Sequence, residues 1–232
     1  MTLKKNLYEG EAFLTGNRAC GPEQSERYSL QCLLTYRTTN IMNLFYLSRV
    51  AREAAQAHCN KHVVKMILEL AQQMCTAHRL LDGSRTPALT KTGRKTSTWG
   101  LPDQERDSLL YKATHANHPM VVWVRSSREH YLWTFELFQE LLLEYTFRYG
   151  KIHACTKLVK ALSEPPAAII PAGFTDPPTC MPDCYRVKGD AVECYRAYYR
   201  EGKKDLLQYK LRERPAWLEM SDVPCSEVSA TV

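Results

Sequence analysis

Apolar positions recur every three or four residues between Val50 and Leu81, a segment that contains neither glycine nor proline. This spacing places apolar side chains on one face of an α-helix, and Asp82-Gly83 is a typical helix end. The sequence therefore predicts one long helix here. The positions that carry the pattern are Ala54, Ala55, His58, His62, Met66, Leu70, Met74 and His78.

A second helical pattern follows the block Asn117-His118-Pro119, in which the proline suits a first helical turn. It runs from Met120 to Tyr149, and Gly150 ends it. Two shorter helices are predicted further along the chain, from Ala154 to Ser163 and from Asp190 to Gly202.

Other segments have no regular period, and none alternates as a β-strand does. Residues 84–107 combine glycine, proline, threonine and lysine, which predicts a mobile loop, and the six prolines of residues 164–188 predict an irregular strap. The predicted fold class is mainly α, a compact single-domain helical bundle over residues 42–219. Residues 1–41 are expected to be a disordered or loosely packed N-terminal arm or an upstream extension, and residues 220–232 a disordered tail.

The composition is that of a soluble globular protein, since 44% of the 232 residues are hydrophobic and 24% are charged. No run approaches the roughly 18 apolar residues of a membrane span, and no apolar signal core follows Met1. We therefore expect a cytoplasmic protein without a membrane partner. The nine cysteines are odd in number and irregularly spaced, which favours free thiols. Cys180, Cys184 and Cys194 lack the paired spacing of a zinc site, so no metal or cofactor is expected.

The net charge of +6 is concentrated in one part of the chain. Residues 42–100 hold nine Lys and Arg against three Asp and Glu, whereas the other segments are nearly balanced. A basic surface of this kind attracts a phosphate backbone, although a solvated face beside a loop has the same composition. The cations of this segment include Lys61, Lys65, Arg79, Arg85, Lys91, Arg94 and Lys95.

Polar residues interrupt the apolar face of the first long helix. His62, Lys65 and Glu69 share one stripe at positions i, i+3 and i+7, and polar groups on a buried stripe must find partners or a function. Lys61 and Lys65 stand four residues apart, a like-charge spacing that favours an anionic ligand. The alternative is an ordinary Lys65–Glu69 pair beside a satisfied, half-buried His62.

Two further clusters could contact phosphate groups. The first precedes the second long helix, whose unpaired N–H groups favour an anion, and the second lies at the C-terminal end of that helix, where the dipole alone attracts cations. Alternatively, the first cluster only caps the helix and leaves its histidines on the surface. The candidates are Lys112, His115, Asn117 and His118 in the first cluster and Arg148 and Lys151 in the second.

Two blocks of the chain, AQAHCNKHVVKMILE (55–69) and YKATHANHPMVVW (111–123), resemble a group of small phage and bacterial proteins. FTDPP (174–178) and MPD (181–183) also look like that group, and the resemblance covers about residues 42–217. More distantly, the first two blocks are similar to pyrimidine-dimer DNA glycosylases of the endonuclease V type. For a phage-encoded protein, the expected location is the host cytoplasm.

The glycosylase resemblance implies an all-α enzyme, without a cofactor, that acts on duplex DNA. An amine attacks the sugar carbon of a damaged nucleotide, a carboxylate stabilises the developing sugar cation, and cations hold the flanking phosphates. The resemblance assigns the carboxylate to Glu69, and places Lys61, His62 and Lys65 on the phosphates.

In that family the attacking amine is the α-amine that methionine removal exposes. A start at Met1 would give this role to Thr2, at the far end of the expected arm. A start at Met42 would give it to Asn43, although methionine is removed inefficiently before asparagine. Lys65 is the side-chain amine that could replace it.

Three functions are therefore compared. The first is a DNA-directed enzyme that acts on a base or nucleotide, with Glu69, His62 and Lys65 as its catalytic residues. The second is a nucleic-acid-binding or partner-binding protein without catalysis. The third is a metal-dependent or nucleotide-dependent enzyme, centred on His62, His78, His115 and His118.

Overall fold

The structure is a computed structural model that describes residues 42–187 and 189–219. The expectations for residues 1–41 and 220–232 lie outside these described residues. The described residues are mainly helical and include one two-stranded antiparallel sheet, so the prediction of a mainly α fold is confirmed. The elements are α1 (Ala51–Ala57), α2 (Asn60–Asp82), β1 (Ser84–Leu89), β2 (Lys95–Gly100), α3 (Gln104–Leu109), α4 (Pro119–Ser126), α5 (Arg128–Tyr149), α6 (Val159–Leu162) and α7 (Ala191–Gly202).

The core lies where α2 and α5 pack against each other, with α1 against α5 and α4 against both. The buried face of α2 carries the predicted apolar stripe, and α5 contributes large aliphatic and aromatic side chains to the same core. Residues 42–47 form neither helix nor strand, are buried against these helices and bring the chain to α1. The fully buried side chains include Leu44, Val63, Met66, Ile67, Leu70, Val121, Leu137 and Phe138.

The single helix predicted from Val50 to Leu81 is in fact two helices. The helical backbone stops at His58, whose φ and ψ are −64° and 135°, and starts again at Asn60. The break leaves helix-end carbonyl groups without a partner inside the helix. The Arg148 guanidinium donates to two carbonyl oxygens here, Gln56 O at 3.0 Å and His58 O at 2.8 Å. A residue some 90 positions away thus stabilises the break, so local sequence could not reveal it.

The second predicted helix is also divided, at Ser127. The extended backbone of this residue separates α4 from α5, and its hydroxyl oxygen accepts the Glu129 N–H, as an N-cap residue does. His118 caps α4 in the same way through Nδ1. The predicted C-terminal end is confirmed, since Gly150 has the left-handed φ of 63° that closes many helices.

Residues 84–107 are not a loop, and that prediction was wrong. Strands β1 and β2 pair from Ser84↔Gly100 to Leu89↔Lys95, and α3 follows them. The hairpin is held by cross-strand contacts such as the hydroxyl pair Thr86–Thr98 at 2.9 Å, and its side chains are mostly exposed. With little apolar surface to bury, its strands show no alternating hydrophobic pattern.

The remaining predictions concern the later part of the chain. Residues 154–158 form a 3₁₀-helix that leads into the short α6, and residues 164–182 contain neither helix nor strand. The helix predicted from Asp190 is confirmed as α7, with the Asp190 carboxylate as its cap. The six cysteines among the described residues are free thiols, as expected. None of the helices in the described ranges is both long enough and apolar enough to span a bilayer.

Candidate functional site

Glu69 holds a nearly buried carboxylate to which two nitrogen atoms donate. The backbone N–H of Asn43 donates to Oε2 at 2.9 Å, and the Nζ of Lys65 lies 2.9 Å from Oε1. Glu69 is 7% exposed, whereas the Lys65 side chain is 63% exposed. The arrangement therefore joins a buried carboxylate to a solvent-facing ammonium group and to a backbone nitrogen inside the fold.

Asn43 is fixed at Glu69 by all of its polar groups. Its Oδ1 accepts the N–H groups of Leu44 and Phe45, and its Nδ2 donates to Cys180 O at 3.0 Å. Phe45 has a φ of 47°, which turns the chain sharply after Asn43. These bonds hold the Asn43 nitrogen in one position relative to the carboxylate.

Gln73 continues the polar stripe of α2 one turn beyond Glu69. Its Nε2 donates to Asn43 O at 3.0 Å, while its buried Oε1 has no hydrogen-bond partner within the described structure. A buried acceptor without a partner is costly unless a ligand or water supplies a donor. The site therefore has one hydrogen-bond acceptor to spare beside Asn43.

Two other segments meet at the same place. The backbone N–H of Met120 is within hydrogen-bonding reach of the Cys180 sulfur, and Cys180 O is the acceptor for Asn43. Burial raises the pKa of the Cys180 thiol to about 11, so it is a neutral thiol at physiological pH. The contacts bring the start of α4, the segment before α7 and residues 42–47 to the face of α2 that carries Glu69.

His62 is a core residue in this structure. Its ring stacks on Phe45 at a centroid distance of 4.3 Å, and its Nδ1 is hydrogen-bonded to the Tyr199 hydroxyl. Burial lowers the pKa of His62 far below its ordinary value, so the ring is neutral. At 5% exposure it has little access to a phosphate group, and the geometry matches the alternative of a satisfied histidine.

Apart from Lys65, most of the predicted phosphate contacts are exposed, and no hydrogen bond or ion pair within the described residues joins them to Glu69. Lys61, His115, Asn117 and Lys151 face solvent, and His118 is half-buried as the α4 cap. Lys112 also faces solvent, where its Nζ pairs with Asp107 at 3.1 Å.

Arg148 requires a correction. It was expected to contact nucleic acid, but it is 1% exposed, and its guanidinium is bonded to Glu144 Oε1 at 2.7 Å and to the carbonyls at the α1 end. Every one of these partners belongs to the protein. Arg148 therefore joins helices and has no free face for a phosphate.

Two of the four histidines of the metal hypothesis are far apart on one helix. His62 and His78 lie 16 residues apart on α2, or about 24 Å at 1.5 Å per residue. His78 lies instead beside Tyr131, its Nε2 being 2.8 Å from the hydroxyl oxygen. No group of three or more potential ligands suited to a metal ion occurs in the described part of the chain.

Sequence reasoning missed Asn43 as a fixed part of the site and missed Gln73 entirely. Asn43 had been considered only as a possible chain start. The spacing of Gln73, four residues after Glu69 on one helical face, was the available signal.

Comparison with protein-family models, with curated protein sequences and with solved structures finds no match to this chain. Any functional assignment must therefore come from the residues themselves.

Proposed function

We propose that the protein is a DNA-directed enzyme, a glycosylase and abasic-site lyase, in which Glu69 is the catalytic carboxylate. The observation that carries the proposal is that the Asn43 nitrogen and the Lys65 amine both lie 2.9 Å from the carboxylate oxygens of Glu69. This chemistry requires an amine beside a carboxylate, and the resemblance to pyrimidine-dimer glycosylases implies the same pairing.

The reaction then proceeds in balanced steps. The amine nitrogen forms a bond to C1′ of the deoxyribose while the bond from C1′ to the base breaks, and the base leaves with a proton. Opening of the sugar ring transfers a proton to O4′ and leaves an iminium between the nitrogen and C1′. Loss of a C2′ proton then expels the 3′ phosphate. Glu69 stabilises the positive charge at C1′ and carries protons between these steps.

The Asn43 nitrogen is the better nucleophile of the two once it is an α-amine. In a chain that continues back through Met42 it is an amide and does not attack. In a chain that starts at Asn43 it is an α-amine with an ordinary pKa of about 8, so a substantial fraction has a free lone pair at neutral pH, unlike lysine with its pKa of about 10.4. Met42 is itself buried, so its removal also frees space beside Glu69.

A nucleic-acid-binding protein without catalysis is the second candidate. The cation-rich segment 42–100 favours it to the same degree, because exposed cations bind phosphates whether or not chemistry follows. The burial of His62 also removes one of the three expected catalytic residues from contact with a substrate.

Borohydride trapping on duplex DNA with an abasic site separates the two functions. A chain beginning at Asn43 is expected to form a covalent adduct that maps to its α-amine, and the full chain from Met1 to form far less. Glu69→Gln should lower the rate of adduct formation and strand cleavage by about 10²-fold or more, as expected for loss of a general acid–base.

Glu136→Gln is the matched control, because Glu136 is an exposed carboxylate on α5. Circular dichroism of both variants excludes unfolding. Equal rates in Glu69→Gln and wild type would disprove the role of Glu69. DNA binding without any adduct would establish the binding protein instead, and an adduct that maps to Lys65 would move the nucleophile there.

A further inference from the structure

The β1–β2 hairpin carries positive charge and contains no carboxylate of its own. Residues 83–102 contain no Asp or Glu, but they contain four cations and seven Ser or Thr hydroxyl groups. Both strands are largely exposed. Cations and hydroxyl groups are the side chains that contact phosphate oxygens most often. The cations are Arg85, Lys91, Arg94 and Lys95.

One face of the hairpin forms a wall of a cleft. In the observed register, Arg85 pairs with Trp99 and Leu89 with Lys95, and cross-strand partners point to the same side of a sheet. A cavity of about 600 Å³ lies between this side and residues 113–117. We call it the basic cleft. Its lining contains no carboxylate and includes Arg85, Arg94, Lys95, Trp99, His115 and Asn117.

Both walls of the basic cleft are fixed to α2. Arg79 is fully buried and donates to Trp99 O on the hairpin side at 2.7 Å and to Tyr111 O beside the other wall at 2.6 Å. Thr76 accepts the N–H of Thr114 at 3.1 Å. The cleft is therefore held open by the same helix that carries Glu69, and its two walls are positioned before any ligand binds.

The spacing along α2 relates the cleft to Glu69. Seven residues separate Glu69 from Thr76, which is about 10 Å of helix. A DNA strand advances about 3.4 Å per nucleotide along the helix axis, so this separation along α2 equals the length of about three nucleotides.

We propose that the basic cleft binds the phosphodiester backbone of a DNA strand, with Arg94 and Lys95 as its main phosphate contacts. This proposal rests on the proposed DNA-directed function but adds the surface that holds the substrate. The hairpin, which the sequence suggested was a loop, is then the substrate-binding element. A two-stranded ribbon also has the dimensions that fit a DNA groove.

The test compares the double variant Arg94→Gln/Lys95→Gln with Lys157→Gln/Lys160→Gln, which removes two exposed cations outside the cleft. Binding of the full chain to fluorescent duplex and to single-stranded DNA is measured by anisotropy over a series of NaCl concentrations. The cleft variant should bind more weakly, and its slope of log K against log[NaCl] should be smaller by about 1.8 on duplex or about 1.4 on a single strand.

The slope of the cleft variant is compared with that of wild type on each form of DNA. The form on which the variant has the smaller slope, duplex or single-stranded, is the one that occupies the cleft. A slope equal to that of wild type, or an equal decrease in the control variant, would overturn the proposal. Polyglutamate tests for an acidic polypeptide as the ligand. If polyglutamate competes with DNA for the wild type, and the cleft variant loses polyglutamate binding as much as it loses DNA binding, the proposal would also be overturned.

Binding and chemistry give independent readings. A normal slope in Glu69→Gln with no borohydride adduct from any chain would disprove the enzyme while leaving the cleft intact. Unchanged binding by Arg94→Gln/Lys95→Gln with normal adduct formation would disprove the role of the cleft while leaving the proposed enzyme function intact.

A modified DNA gives a further test of the cleft. A neutral methylphosphonate about three nucleotides from the lesion should weaken wild-type binding but not that of the cleft variant.

Discussion

Arg148 shows how one buried side chain determines the local fold. Its guanidinium joins Glu144 on α5 to the carbonyls of Gln56 and His58, and removing one partner of a buried ion pair leaves the other charge without compensation. We expect Arg148→Met to lower the free energy of unfolding by about 3–5 kcal/mol in urea denaturation, although Arg212 still contacts Glu144.

Arg52→Met is the matched control, because Arg52 forms an exposed pair with Glu140 at 3.3 Å and should cost at most about 1 kcal/mol. The folded fraction of Arg148→Met should also keep its DNA affinity. A loss of affinity at full folding would restore Arg148 to the nucleic-acid surface and contradict its structural role.

Residue types and spacing placed Lys65 and Glu69 on one stripe of the helix. The structure joins them at 2.9 Å, which is the contact that the alternative of an ordinary Lys65–Glu69 pair also predicts. The same reasoning could not separate the exposed Lys61 from the buried His62 and Arg148, because a charged or polar residue on a helix has the same sequence signature in either environment. The contact of the Asn43 backbone nitrogen depends on a turn 26 residues before Glu69 and leaves no mark on side-chain type.

At the scale of elements, helical periodicity predicted where helices lie but not where they break. Ser127 has no proline or glycine beside it, and its role depends on tertiary contacts, since its hydroxyl donates to Gly173 O at 2.8 Å. The hairpin escaped prediction for the converse reason. Its strands bury too little surface to need an alternating pattern, and the pairing is supported by Arg79, which binds Trp99 O from outside the sheet.

Ser127 gives a direct test of the break between α4 and α5. Ser127→Ala removes the N-cap acceptor for Glu129 and the bond to Gly173, so we expect a loss of about 1–2 kcal/mol of unfolding free energy. Ser108→Ala, at an exposed hydroxyl on α3, should change it by less than about 0.5 kcal/mol. Equal values for the two variants in urea denaturation would mean that the cap does not stabilise the break.

At the scale of the whole molecule, three of the four buried histidines in the described part of the chain make the largest contributions to a pH-dependent stability. Burial lowers the pKa of His58 and of His78 to about 4, and it lowers that of His62 further. In the His78 network, Arg106 lies 3.2 Å from Nδ1, so a proton there would meet a cation. The histidines of the unfolded chain have an ordinary pKa of about 6.5. Below this pH the unfolded chain therefore binds more protons than the folded protein does.

The stabilising contribution is thus complete above pH 6.5 and is lost as the pH falls towards 4. With three such histidines, the free energy of unfolding should fall by up to about 4 kcal/mol per pH unit near pH 5, where the unfolded rings are protonated and the folded rings are not. Since domains are stable by only about 5–15 kcal/mol, we expect acid unfolding between about pH 4 and 5.

Urea denaturation at a series of pH values measures this slope. His78→Gln should reduce it by about one proton, or about 1.4 kcal/mol per pH unit, whatever its effect on stability at neutral pH. Equal unfolding free energies at pH 7 and pH 5 would show that these rings accept protons inside the fold. Proton uptake by these histidines occurs only when the core opens, so the pH dependence of stability reports on the packing of α2 as a whole.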